Sequence, residues 1–195
     1  ACKGHLESLR LLIEAKADVD KARTDVGATP TYIAARSGHL EPLRLLIEAK
    51  ADVDKARTDV GETPTYAAAC NGHVEPLRLL IEAKADVDKA RTDDGRTPTY
   101  VAACNGHLEP LRLLIETKAD VDKARTDVGA TPTYVAARNG HLEPLRLLIE
   151  AKADVDKACT DDGSTPTYVA ADNGHLETLW LLIEAEADVD KARTD

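Results

Sequence analysis

Five glycines, Gly27, Gly61, Gly95, Gly129 and Gly163, each stand two residues before a Thr-Pro-Thr-Tyr string, and consecutive ones are 34 residues apart. The intervening residues hardly change, so the chain repeats one unit rather than building a single core from unlike elements. A unit of this length holds one supersecondary motif, whose apolar surface is too small to offset the entropy of ordering it alone. Identical units present identical faces, so stacking them supplies the missing core. Five full repeats cover residues 25–58, 59–92, 93–126, 127–160 and 161–194, preceded by a partial unit over 1–24, in one array over 1–195. The partial unit, GHLESLRLLIEAKADVDKART, matches only the second part of a repeat and implies part of a longer chain or array.

Each unit carries start and stop signals for two short helices. Thr29 is a good N-cap, Pro30 suits the first helical position because its missing N–H would have no partner there, and Gly38 can end the helix in a left-handed conformation. The first helix is expected over about Pro30 to Ser37. Leu40, Leu43, Leu46 and Ile47 recur at helical spacing, and Pro42 falls in the opening turn, so a second, antiparallel helix is expected over about Leu40 to Ala49. Leu43, Leu46 and Ile47 should be buried, with Arg44, Arg78, Arg112 and Arg146 outside. The polar, Asp- and Gly-containing remainder reads as an extended turn leading to the next unit.

Composition excludes several classes. No apolar run approaches the ~18 residues of a membrane span, so no membrane insertion is expected. With 25 basic against 35 acidic residues and a net charge of −10, a phosphate backbone would be repelled, so nucleic acid is not an expected partner. Cys2, Cys70 and Cys104 share one repeat position and Cys159 replaces an arginine. That scatter reads as substitution within a repeat and predicts reduced thiols in an intracellular, cytoplasmic setting. Three histidines complete a C-x-x-H, but each unit offers at most two soft ligands, and equivalent atoms of neighbouring units should lie ~8–10 Å apart, too far for a shared zinc. His39 and its equivalents are read as part of the second helix's start. No nucleophile, base and orienting group recur together, and no glycine-rich phosphate loop is present, so neither catalysis nor a cofactor is expected.

The string TPTYIAARSGHLEPLRLLIEAKADVD resembles the ankyrin repeat, whose T-P-L-H-x-A-A, G-H-L-E and L-L-x-x-G-A-D-V-N pattern it follows position by position over essentially the whole chain. The resemblance implies an all-α fold, an ankyrin-type α-solenoid of stacked antiparallel helix pairs with projecting hairpin loops. It also implies protein binding in a groove between hairpins and first helices, without catalysis.

Four departures stand out. Tyr32 and its equivalents occupy the family's His position and Thr31 its Leu, so the hydrogen bonds between repeats must be rebuilt. Lys50, Lys84, Lys118 and Lys152 replace the Gly that ends the second helix, which costs up to ~1 kcal/mol if the left-handed conformation is kept. The period exceeds the family's by one residue within DKARTDVG, so the hairpins should be longer or bulged. Asp54 replaces Asn. The tyrosines are expected in the core, each hydroxyl finding a partner.

Differences among the repeats collect at positions the family places in its groove. They lie before TP (Ala28, Glu62, Arg96, Ala130, Ser164), two residues earlier (Val26, Val60, Asp94, Val128, Asp162), and at the end of the first helix (Cys2, Arg36, Cys70, Cys104, Arg138, Asp172). Ala28, Arg36, Glu62, Cys70, Arg96, Cys104, Arg138 and Asp172 are therefore the groove candidates, and the arginines among them are expected to be solvated. The last repeat concentrates acidic residues and carries the only tryptophan, Trp180, where the other repeats have Arg. Trp180 should face outward and is the convex-face candidate. A non-enzymatic module holding a protein partner is the first functional expectation. A structural or linker subunit of a larger assembly, binding through its edges or convex face, is the alternative.

Overall fold

The computed structural model describes residues 5–190, which contain eleven helices and no strand. The chain divides into two compact units, residues 1–93 and 94–195. The first holds α1 (Leu6–Glu14), α2 (Pro30–Arg36), α3 (Leu40–Glu48), α4 (Pro64–Cys70) and α5 (Val74–Glu82). The second holds α6 (Pro98–Cys104), α7 (Leu108–Glu116), α8 (Pro132–Arg138), α9 (Leu142–Glu150), α10 (Pro166–Asp172) and α11 (Leu176–Glu184). In the first unit α2 packs on α3 and α4 on α5 within repeats, while α2 packs on α4 and α3 on α5 and α1 between repeats. The second unit pairs α6 with α7, α8 with α9 and α10 with α11, and stacks successive pairs through α6, α8 and α10 and through α7, α9 and α11.

Local chemistry sets the helix ends where the sequence places them. Thr29 Oγ1 accepts from the Tyr32 N–H at 3.1 Å, and Pro30 opens the helix. At the other end Gly38, at φ +70°, lets the His39 N–H reach the Ala34 carbonyl and its own N–H the Ala35 carbonyl, a Schellman motif. The second helix closes identically, with Lys50 in the glycine's place at φ +64° and the Ala51 N–H on the Leu46 carbonyl. The lysines thus keep the left-handed conformation and the helix end is unaltered. The Thr58–Gly61 loop of the hairpin is closed by Arg57 N–H to Glu62 O and Gly61 N–H to Arg57 O.

Leu43 and Leu46 are fully buried against the first helix, together with Ala34 and Ala35. Arg44, Arg78, Arg112 and Arg146 are exposed. Ile47 departs from its expected burial, although the register holds. It is only half-buried, as are Ile81, Ile115 and Ile149, while Pro42 is buried. The buried stripe runs along Pro42, Leu43 and Leu46, which leaves Ile47 on its flank, where α3 meets α5.

The repeats are also joined by polar groups. Asp54, the replacement for Asn, accepts the Asp86 N–H at 2.9 Å, and Lys89 Nζ reaches the Asp54 carbonyl. Partial burial raises the Asp54 pKa above the ordinary carboxylate value. His73 Nε2 donates to the Arg36 carbonyl at 3.1 Å, and His141 and His175 repeat the bond on Cys104 and Arg138. The histidines therefore begin the second helix, as read from the sequence, and also tie it to the preceding repeat.

Candidate functional site

The R-T-D strings that begin at Arg23, Arg57, Arg91 and Arg125 build one side of the candidate surface. Arg57 is ion-paired with Asp59 and sits 5.5 Å over the Tyr32 ring. The pairing holds the Asp59 carboxyl below its usual range, and Asp127 is lowered the same way by Arg125. Glu62 accepts from the Tyr32 hydroxyl at 2.6 Å and pairs with Arg57 at 3.2 Å and Arg91 at 3.4 Å. Burial first, and then the Glu62 hydrogen bond, push the Tyr32 phenol up to about 12. In the second unit Ser164 takes the place of Glu62, its Oγ 3.0 Å from the Tyr134 hydroxyl, and Cys159 replaces the arginine.

These contacts sort the groove candidates. Ala28 is 3% exposed, packed with Tyr32 and Ala67, and offers a partner no surface. Glu62 is half-buried in the tyrosine network. Arg96 is a correction: its side chain is 33% exposed rather than solvated, because Asp94 two residues earlier holds it at 3.0 Å and it lies over the Tyr100 ring. Arg36, Arg138 and Asp172 are exposed at the ends of α2, α8 and α10, and Cys70 and Cys104 are half-buried at the ends of α4 and α6. Within the first unit Tyr32, Arg36, Arg57, Glu62, Tyr66 and Cys70 line one cleft of about 200 Å³. Trp180 is 64% exposed on α11, as its replacement of an outer arginine predicts. The sequence reading missed the arginine–tyrosine contacts, although the recurring R-T-D was their signal.

Cys70, Cys104 and Cys159 are outside any disulfide. Sγ of Cys159 lies within 4.8 Å of ligand atoms of Asp161 and Asp162. Burial raises the thiol's pKa, and Asp162 Oδ1 already accepts from the Ser164 N–H and hydroxyl, so these groups serve the turn. No described helix is long and apolar enough to cross a membrane.

The helix pairs, the TP caps and the glycine-ended turns now stand beside a match over nearly the whole chain. The family model described as ankyrin repeats (3 copies) fits residues 1–57, 53–127 and 122–193. The chain is an ankyrin repeat protein. Ankyrin repeats are in general protein–protein interaction modules and typically non-enzymatic. A search of curated proteins found no match for this ankyrin chain.

Proposed function

We propose that this ankyrin array, acting as one module across its repeats, holds or positions a protein partner on the groove formed by its first helices and hairpins, without catalysis. The supporting observation is a column of change beside a column of constancy. Ala35, Ala69, Ala103 and Ala137 are invariant and buried, whereas the next residue, Arg36, Cys70, Cys104 or Arg138, differs between repeats and lies at the surface or partly so. Packing explains the first column and leaves the second free to be set by a partner. The unbridged thiols accord with a reducing, intracellular compartment.

A second reading draws on Trp180, which is exposed on α11 together with Leu176 and Ile183. It makes the convex face of the last repeat the contact with a larger assembly. A photo-cross-linking amino acid placed at Ser37 or Asp172 is expected to capture the partner, and the same group at Arg78 or Trp180 is not. Capture only from Trp180 would reject the groove and favour the assembly reading.

A further inference from the structure

Ten of the twelve arginines between residues 5 and 190 are ion-paired with a carboxylate of the chain itself. The outer arginines Arg44, Arg78, Arg112 and Arg146 each pair with the glutamate three residues earlier. Arg10 is held in the same way by Glu7. The hairpin arginines pair with the aspartate of R-T-D, and Arg96 with Asp94. Arg36 and Arg138 are the exceptions: among the described residues neither guanidinium has a carboxylate or hydrogen-bond partner. They occupy the same repeat position, one in each compact unit. In both cases the backbone is fixed, since His73 bonds the Arg36 carbonyl and His175 the Arg138 carbonyl, each at 3.1 Å.

An exposed cation on a pinned backbone is placed for an external anion at little ordering cost beyond its own side chain. In the first unit the surroundings sharpen this. The cleft that Arg36 lines also contains Arg57, but that charge is matched by Asp59 and Glu62, so Arg36 supplies the cleft's unmatched charge. A guanidinium accepts a carboxylate through two parallel hydrogen bonds, and the cleft's size suits one side chain. The chain's net −10 disfavours a long polyanion, whereas a short segment presenting single carboxylates meets mainly the charges within a Debye length of about 8 Å at physiological ionic strength.

We infer that Arg36 and Arg138 are receptors for carboxylate side chains, and hence that the partner is an acidic peptide segment. This rests on the groove reading above and adds the chemistry of its occupant.

The test uses the 195-residue chain and a short fluorescein-labelled peptide of alternating Glu and Ala, with Gln–Ala and Lys–Ala peptides beside it, read by fluorescence anisotropy. The Glu–Ala peptide is expected to bind most tightly. Arg36→Glu and Arg138→Glu combined should weaken it about tenfold, either one alone by less, and Arg36→Gln by less than Arg36→Glu. Lys84→Glu, an equal charge reversal at the end of α5, should change it by less than about twofold. Helical circular dichroism should be unchanged in all of these variants, since these side chains are exposed. Equal binding of the Gln–Ala peptide, or equal weakening by Lys84→Glu, overturns the proposal. Preference for Lys–Ala that is lost in Asp172→Lys overturns it while sparing the groove. Glu–Ala binding that survives both arginine reversals and is lost in Trp180→Arg removes the groove as well.

Discussion

The Thr31 hydroxyl sits where the family pattern carries leucine, and its burial is not matched by a partner. Thr31, Thr65, Thr99 and Thr133 are fully buried, and their Oγ1 atoms have no hydrogen-bonding protein group in reach. A buried hydroxyl left unpaired costs on the order of 1–3 kcal/mol. Valine keeps the branched shape and removes that cost, so Thr99→Val is expected to raise stability by about 1 kcal/mol. The measurement is the urea unfolding midpoint at unchanged slope, and a lower midpoint would mean that the hydroxyl is satisfied in solution. The tyrosines give a second residue-scale expectation. Burial, with Glu62 second, raises the Tyr32 phenol from 10.0 to about 12, and burial foremost does the same for Tyr134. The folded chain holds these protons more tightly than the unfolded one. Their contribution to stability is therefore present in full below pH about 10 and is lost as the pH rises toward about 12. Phenolate absorbance should show Tyr32 and Tyr134 ionising late in the folded protein and at their ordinary pH after denaturation. Ionisation of Tyr32 and Tyr134 near 10 in the folded protein would contradict the buried network.

The turn between the two helices of a repeat is an element whose glycine answers to two demands. Gly140 has φ +69°, and a Cβ there would come within 2.6 Å of His175 Nδ1. Gly174 has φ +71°, but a Cβ would meet nothing within 4 Å. Gly174→Ala should therefore cost only the left-handed backbone penalty of about 1–2 kcal/mol, and Gly140→Ala distinctly more, because it also displaces the ring bonded to Arg138. Thermal unfolding of the two variants side by side checks this, and equal losses would show that the ring moves aside freely. The helices themselves were legible in the sequence, since TP caps, glycine stops and the spacing of Leu43 and Leu46 are local signals. Ile47 and Arg96 were not. Each depends on what lies beside it in the fold: the neighbouring repeat's second helix for Ile47, the bend of the hairpin toward Tyr100 for Arg96. The tie from His73 to Arg36 spans 37 residues, which no local pattern displays. The candidate surface was legible to the extent that its positions vary. Which of them are free of internal duties, Arg36 and Arg138 as against Ala28, Glu62 and Arg96, required the contacts.

At the scale of the molecule, the repeats join by rule. The Tyr32 hydroxyl meets Glu62 thirty residues on, the Asp86 N–H meets Asp54 across 32, and the histidine rings reach back 37. Each such bond links one repeat to the next and to no other. Within each compact unit the apolar stripe follows the same rule, so that unit's core is laid down repeat by repeat. A gene that loses or duplicates one 34-residue segment therefore encodes no unfamiliar seam. With residues 127–160 excised, His175 would meet the Cys104 carbonyl in the position His141 now holds. Inserting a single residue within a helix is the harsher lesion, because it turns the residues beyond it off the buried face. Copy number is thus the heritable variable this protein can change most freely, and lineages can be expected to differ in how many repeats they carry before they differ in how a repeat is built.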